Sequence, residues 1–243
     1  MSPTPHRTAV VLGAGPGLGM SVAHRFGREG YAVALVSRTD TRHAGYLASL
    51  AAAGVDATAH VADVRDHASL MSALDTIAEH HGSIDFVHYG PSAVGPDALP
   101  TAITEADAAS VRTAMSWVYP AVDVVAKVLP GMRERGSGGF LFASGISAVR
   151  PMPVLGSLAV SAAALRHYAL TLNAGLEGSG VYAGALIIGG VVERGDIHRM
   201  VTARPEEFGE VGAGTLDSDD LADTAWGLHA ERDRPEAVVP AFG

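Results

Sequence analysis

Cysteine is absent from this chain of 243 residues, and lysine occurs once, as Lys127. The absence of cysteine excludes a disulfide framework, a thiol nucleophile and a thiolate metal site. A single lysine among scattered arginines, with a formal net charge of −9, does not provide the clustered cations that bind phosphate backbones. We therefore expect no nucleic-acid partner.

Long apolar runs are also missing. No stretch reaches the ~20 residues of a membrane span without a charge or a glycine, and residues 1–13 lack the basic start and apolar core of a signal peptide. The histidines show no ligand spacing with carboxylates, so no metal site is expected. These features predict a cytoplasmic protein with no membrane partner.

What the sequence does contain is a regular alternation of apolar runs and helical patterns. Hydrophobic residues make up 48% of the chain, and most of the runs are uniformly apolar, which is typical of parallel strands covered on both faces. The sequence therefore predicts an α/β fold with one domain over 1–243: a Rossmann-type doubly wound parallel sheet of about seven strands, with helices on both faces. Strands are predicted at 8–13, 32–37, 58–63, 84–89, 139–144, 182–188 and 236–240, and helices at 18–30, 41–53, 67–82, 104–133, 157–178 and 218–230.

Two longer segments interrupt the alternation. The first, 90–100, is rich in glycine and proline and follows the fourth strand, and the second, 189–217, follows the sixth. Both leave the carboxyl ends of their strands, where open α/β sheets bind ligands. Since long connections in compact domains are often functional, we expect 189–217 to be a substrate loop.

The first strand runs into the glycine-rich turn VVLGAGPGLGMS. A glycine such as Gly13 permits the tight turn, and Gly17 and Gly19 let backbones come close to a pyrophosphate and to the strand. Gly15 and Leu18 belong to the same turn, whose following helix presents free N–H groups to phosphates. This turn predicts a dinucleotide-binding site.

The end of the second strand predicts which dinucleotide binds. An acidic residue there would accept a hydrogen bond from the ribose 2′-hydroxyl of NAD, but Ser37 and Arg38 occupy this position. A guanidinium suits the 2′-phosphate of NADP(H), so we expect NADPH rather than NADH. Arg42 is placed to assist, although both arginines are equally compatible with solvated surface charges.

These features together resemble the short-chain dehydrogenase/reductase family over essentially the whole chain. The spacing of the first-turn glycines is similar to that family's cofactor loop, and Asp63–Val64 matches its acidic–aliphatic pair after the third strand. The resemblance implies that this pair contacts adenine, and that Gly90, after the fourth strand, also belongs to the cofactor site.

The catalytic positions depart from the family's pattern. The family uses a tyrosine as general acid/base, with a lysine four residues later that lowers its pKa. The resemblance puts Leu158 and Ala162 at these two positions. No Tyr-x-x-x-Lys exists elsewhere, because Asp123 stands four residues before the single lysine. The family's helix asparagine falls near Trp117.

Other side chains are candidates for catalysis. Ser144 or Ser147 matches the family's serine, and the spacing leaves both open. Tyr89 ends the fourth strand, where a phenol would lie near a bound nicotinamide, and the neighbouring His88 is interpreted as a buried ring. Tyr168 is interpreted as a packing residue, since it lies about 15 Å along the helix from the lost tyrosine. The predicted catalytic residues are Ser144 and Tyr89.

The sequence thus predicts an NADP(H)-binding oxidoreductase with an atypical active site, acting on an apolar small molecule. The alternatives are a non-redox enzyme (an isomerase, dehydratase or cyclase) and an inactive NADP(H) sensor or structural subunit on the same scaffold. A homodimer or homotetramer is expected by resemblance.

Overall fold

The central element of the fold is one parallel sheet. The computed structural model describes residues 7–91, 100–204, 206 and 214–241. Within these residues the strands in chain order are β1 Thr8–Leu12, β2 Ala32–Ser37, β3 Ala57–Val61, β4 Phe86–Tyr89, β5 Gly138–Gly145, β6 Val181–Gly189, β7 Val191–Val192, β8 Thr215–Leu216 and β9 Glu236–Pro240. Strands β7 and β8 form a separate parallel pair, and the others form the main sheet.

The order of the main sheet is β3-β2-β1-β4-β5-β6-β9, and every neighbouring pair is parallel. The chain runs outward from β1 to β3 and then returns to place β4 on the other side of β1. This reversal is the topological switch point at which such sheets bind ligands. The predicted Rossmann-type α/β sheet is confirmed.

Helices cover both faces of the sheet, as predicted. The helices are α1 Leu18–Arg28, α2 His43–Ala52, α3 His67–His81, α4 Ala108–Met115, α5 Tyr119–Arg135, α6 Gly156–Gly175, α7 Asp196–Ala203 and α8 Ser218–Glu231. One apolar core lies between the sheet and helices α3, α5 and α6, and a second lies against α1, α2 and α8.

One prediction of local structure was wrong. The single helix predicted over 104–133 is two helices, because Pro120 sits in the first turn of α5 and cannot donate a backbone hydrogen bond to the preceding turn. Segment 189–217, for which a substrate role stays a prediction, contains β7, α7 and β8. Within 90–100, residues 92–99 lie outside the described residues.

Two histidines are buried on the face covered by α1 and α8. The ring of His229 shares a hydrogen bond of 3.0 Å with the Tyr31 hydroxyl, while Nδ1 of His88 has no hydrogen-bond partner among the described residues. Burial lowers the pKa of His88 to about 4 and that of His229 to about 3. Both rings are therefore neutral at pH 7, and the interpretation of His88 as a buried ring agrees with the structure.

We predict that His88→Val reduces the loss of stability in acid. Because the pKa of His88 is lower in the folded than in the unfolded chain, the unfolded chain binds more protons below about pH 6.5. The free energy of unfolding therefore decreases as the pH is lowered. Between pH 7 and pH 5 this histidine alone accounts for about 2 kcal/mol of that loss. Urea unfolding of both proteins at the two pH values measures the difference; equal losses would show that His88 does not titrate on unfolding.

Candidate cofactor and substrate site

The site is built on the turn between β1 and α1. Gly13 has a φ of +91°, a conformation that favours glycine, and the backbone N–H groups of Gly13 and Ala14 both donate to the Val36 carbonyl oxygen at 3.0 Å. Helix α1 then begins at Leu18 with Gly17 at its N-cap position. The turn thus joins the end of β1 to the end of β2 by hydrogen bonds. It also places the free backbone N–H groups at the start of α1 near the ends of these strands.

Three of these glycines are required by close backbone contacts, and one is not. A Cβ atom on Gly13 would lie 2.7 Å from the backbone of Gly90, and one on Gly19 would lie 2.9 Å from the Gly13 carbonyl oxygen. On Gly17 it would meet the carbonyl oxygen of Glu193 at 3.0 Å. A Cβ on Gly15 would meet no atom closer than 3.9 Å. Gly15 therefore leaves room for a ligand rather than for the protein's own backbone.

Two cavities meet at this turn. They have volumes of about 460 and about 450 Å³, and both are lined by Gly13, Gly15, Pro91, Trp117 and Asp196. Since they share these walls, they form one groove across the ends of β1, β2, β4 and β5. The polar end of the groove lies over β2, and the apolar end lies over β5 and the start of α6.

The polar end contains the residues predicted to select NADP(H). Ser37, Arg38 and Arg42 all line this cavity. The Ser37 hydroxyl donates to the Thr39 carbonyl oxygen and also contacts His43 Nε2 at 2.7 Å. The guanidinium of Arg42 donates to both carboxylate oxygens of Asp196, at 2.8 and 2.9 Å. Two guanidinium groups therefore stand where the second strand ends.

The adenine-contacting pair predicted by resemblance is divided in the structure. Val64 is buried and lines the polar cavity. Asp63 does not line it; instead its carboxylate accepts hydrogen bonds from the backbone and side chain of Arg65, which hold the pKa of Asp63 below its usual range. The role of Asp63 stays a prediction, and the geometry supports Val64 more directly.

The apolar end contains the predicted catalytic Tyr89, whose phenol is already engaged. Its hydroxyl donates to the backbone carbonyl oxygen of Trp117 at 2.7 Å, and the side chain is 1% exposed. Burial raises its pKa above the ordinary value, and the carboxylates of Asp123 and Asp63 add to that effect. A phenol in this state is a poor proton donor at pH 7, so the geometry does not favour catalysis by Tyr89.

The serines at this end are better placed. Ser144 and Ser147 both line the cavity, and the only hydrogen bond that the described residues give the Ser144 hydroxyl is a long one of 3.5 Å to the Ala162 carbonyl oxygen. A bond of this length is weak, so the Ser144 hydroxyl is available to a substrate. Sequence reasoning missed Ser161, which also lines the cavity from the turn of α6 between Leu158 and Ala162.

Leu158 and Ala162 both line the same apolar wall. They are one helical turn apart on α6 and place methyl groups, not a phenol and an ammonium, beside Ser144. Lys127 lies elsewhere, on α5, where it pairs with Asp75 of α3. Tyr168 packs edge-on against Phe142, with ring centroids 5.8 Å apart, in agreement with the packing role predicted for it.

The segment 190–203, which we call the strap, covers the middle of the groove. Its backbone at Glu193 and Gly195 lies directly against Gly17, and Gly190, Val191, Val192 and Ile197 line the apolar cavity. Arg194 has a φ of +65° and points away toward α8, where it donates to the Ser218 hydroxyl and pairs with Asp219 at 2.8 Å. The strap is thus held at its base by α8 and forms the roof of the site.

The described residues contain neither a metal-ion cluster nor a membrane-spanning helix. In residues 7–91, 100–204, 206 and 214–241 there is no group of three or more histidine, aspartate or glutamate side chains that could hold a metal ion. Within the same ranges, no helix has the length and apolar character needed to cross a membrane.

Comparison with known proteins identifies the family. Residues 7–201 match the model of the short chain dehydrogenase family. The 1-deoxy-11-beta-hydroxypentalenate dehydrogenase of Streptomyces avermitilis is 31% identical over 228 residues, which cover 90% of this chain and 79% of that protein. Dehydrogenase/reductase SDR family member 4 of Bos taurus is 28% identical over 180 residues, covering 72% and 62% of the two chains. This chain therefore belongs to the short-chain dehydrogenase/reductase family.

Solved structures share the fold at lower identity. The L-sorbose reductase of Gluconobacter frateurii, solved with NADPH and L-sorbose, superposes with a TM-score of 0.84 at 21% identity and covers 97% of this chain and 95% of its own. A metagenomic short-chain oxidoreductase solved with NADP has a TM-score of 0.77 at 19% identity, covering 96% of each chain. At these identities the comparison supports the fold alone.

We predict that Gly15→Val weakens dinucleotide binding without unfolding the protein. Its Cβ atom would meet no protein atom closer than 3.9 Å, and the rest of the side chain would enter the groove. We therefore expect an unchanged Tm and an affinity for NADPH reduced by about tenfold or more, or about 1.4 kcal/mol. Calorimetric titration measures both proteins.

The matched control is Gly45→Ala, on the exposed face of α2. A Cβ there meets no atom within 4 Å, and alanine in a helix is favoured by up to about 1 kcal/mol. Stability should rise slightly and binding should not change. Normal NADPH binding by the Gly15 variant would mean that the dinucleotide does not cross this turn.

Proposed function

We propose that this protein is an NADP(H)-dependent oxidoreductase that transfers a hydride to a small apolar substrate without a tyrosine–lysine proton donor. The observation that carries the proposal is the continuous groove over Gly13 and Gly15, which joins an arginine-containing end to an apolar end lined by Leu158 and Ala162. The guanidinium groups of the first end would pair with a phosphorylated ribose, and the second end has room for a nicotinamide and an apolar substrate.

The residues present fit an extended dinucleotide. Ser37, Arg38 and Val64 would hold the adenosine end, where a guanidinium suits a 2′-phosphate. The open space at Gly15 and the amide groups at the start of α1 would receive the pyrophosphate. Nicotinamide supplies or accepts a hydride when bound. The apolar walls of the remaining cavity exclude water from the reacting carbon.

The lining of the apolar end points to a substrate that needs no proton from the protein. Reduction of a ketone leaves an alkoxide that must be protonated, and a positioned general acid contributes about 10²- to 10⁴-fold to such a step. Here Tyr89 is engaged with the Trp117 carbonyl oxygen, and the other hydroxyl groups belong to serines. An iminium ion accepts the hydride at carbon and becomes a neutral amine with no proton transfer, whereas an enone would leave an enolate that still has to be protonated. We therefore propose an iminium ion as the acceptor.

A second candidate is an NADP(H) sensor without turnover. The specific observation that favours it is that Leu158 and Ala162 place aliphatic side chains on the α6 wall of the apolar cavity, beside Ser144. A non-redox enzyme on the same scaffold would require a catalytic side chain at this end, and the serines alone are weak acids and bases. Both alternatives are distinguished from the redox proposal by the fate of NADPH.

We predict that the protein oxidises NADPH with a cyclic iminium ion at least about 10²-fold faster than with the matching cyclic ketone. Absorbance of NADPH and chromatography of the products measure both acceptors under identical conditions. Binding of NADPH without oxidation by any acceptor in the panel would favour the sensor. Product formed without loss of NADPH would favour a non-redox enzyme.

We also predict that the double variant Leu158→Tyr, Ala162→Lys gains ketone reduction. The two changes place a phenol and an ammonium one helical turn apart beside Ser144, and the lysine lowers the pKa of the phenol. The rate with the ketone should rise by about 10²-fold, while the rate with the iminium ion should change little. The control is Leu158→Phe with Ala162→Met, which has similar bulk and no proton donor; an equal gain in the control would show that volume, not proton transfer, limits the reaction.

A further inference from the structure

One ion pair crosses the groove from wall to wall. Arg42, beside the first residue of α2, and Asp196, the first residue of α7 in the strap, make a two-bond contact with N–O distances of 2.8 and 2.9 Å. They are 154 residues apart in the chain. Asp196 lines both cavities, whereas Arg42 lines only the polar one. The pair therefore links the proposed nucleotide-selecting wall to the roof of the substrate end.

The guanidinium of Arg42 is in the geometry that also suits a phosphate. A planar guanidinium donates two parallel hydrogen bonds equally well to a carboxylate or to a phosphate. Arg42 shares its cavity wall with Ser37 and Arg38 at the end of β2, which is where the proposed function puts the ribose 2′-position. A 2′-phosphate there would compete with Asp196 for the same N–H groups.

Breaking the contact between Asp196 and Arg42 requires little free energy. Both side chains are partly exposed, at 45% for Arg42 and 36% for Asp196, so water screens their attraction. Asp196 also has a second partner, Arg199, on the same helix. Hydrogen bonds from Arg42 and then from Arg199 hold the pKa of Asp196 below its usual range, which keeps it anionic and repelled by an incoming phosphate.

We propose that Arg42 exchanges partners, from Asp196 in the free protein to the 2′-phosphate of NADP(H) in the complex, and that Asp196 is thereby a specificity-determining residue. The proposal rests on the proposed function, because it assigns the 2′-phosphate to this wall. NADH carries no 2′-phosphate and leaves the Arg42–Asp196 pair closed. NADPH opens the pair and releases the first turn of α7 from α2, while the anionic Asp196 remains paired with Arg199.

The test is a double-mutant cycle on nucleotide affinity, with Asp196→Asn, Arg42→Gln and their combination titrated with NADPH and NADH. In Asp196→Asn the guanidinium no longer has to leave a carboxylate, so affinity for NADPH should rise about threefold to fivefold, the range expected of an exposed ion pair. Affinity for NADH should change by less than about twofold. With Arg42→Gln already present, Asp196→Asn should no longer increase affinity for NADPH.

A further variant is Arg199→Gln, which removes the other partner of Asp196 without touching the link across the groove. We expect it to lower the ratio of NADPH to NADH affinity, because Asp196 released from Arg42 then has no second partner. A rise for NADPH and NADH alike in Asp196→Asn, or a rise that persists with Arg42→Gln, would mean that the change only removes negative charge, and the exchange would be rejected. If the unmodified protein binds neither nucleotide, the proposed function fails as well; NADPH binding with an unaltered ratio rejects the exchange alone.

Hydrogen exchange gives a second and independent measurement. The fragment 2′,5′-ADP fits the adenosine end alone, so it should increase amide exchange in α7, and 5′-AMP should not. Protection of α7 by 2′,5′-ADP would show that the phosphate tightens the strap, which contradicts the exchange of partners.

Discussion

Close packing of backbone against backbone at the end of β1 is the constraint on which the rest of this site depends. Gly13 packs against the backbone of Gly90, the residue after β4, and Gly17 packs against the backbone of Glu193 and Gly195 in the strap. Side chains at Gly13 and Gly17 would hold these segments apart, and the groove would lose its floor or its roof. Because the contacts lie where the strand order reverses, the loops from both halves of the sheet converge on one point.

The groove formed at this point has two chemically different ends. Over β2 its walls carry Arg38 and Arg42, while over β5 and α6 they carry aliphatic groups and a few hydroxyls. An arginine-containing wall binds charge through long, solvated side chains, whereas an apolar wall excludes water and strengthens any electrostatic effect within it. The division suits a ligand that is anionic at one end and neutral at the other, as a dinucleotide with an apolar substrate is.

The sheet was predictable because its signal is local. The inner strands are buried and apolar on both faces, so their runs were visible in the sequence. The edge strands β3 and β9 are only partly buried. The glycine turn marked the first crossover. The break before Tyr119 was missed although Pro120 carries the signal for it. The pairing of Arg42 with Asp196 could not be predicted, because the path of a long connection after a strand is set by tertiary packing rather than by periodicity. For the same reason the strand position of Tyr89 was foreseen, while its hydrogen bond to the Trp117 carbonyl oxygen was not.

Cofactor binding and proton transfer, which a dehydrogenase site combines, depend on different parts of this fold. The proposed nucleotide site is formed mainly by backbone, at the glycine turn and the start of α1, and this backbone does not depend on which side chains α6 presents to the cavity. Leucine and alanine are good helix formers, so Leu158 and Ala162 are compatible with α6 while they line the apolar cavity. The groove can therefore keep its shape where these two side chains of α6 are aliphatic, and the hydroxyl of Ser144 lines the same cavity as they do.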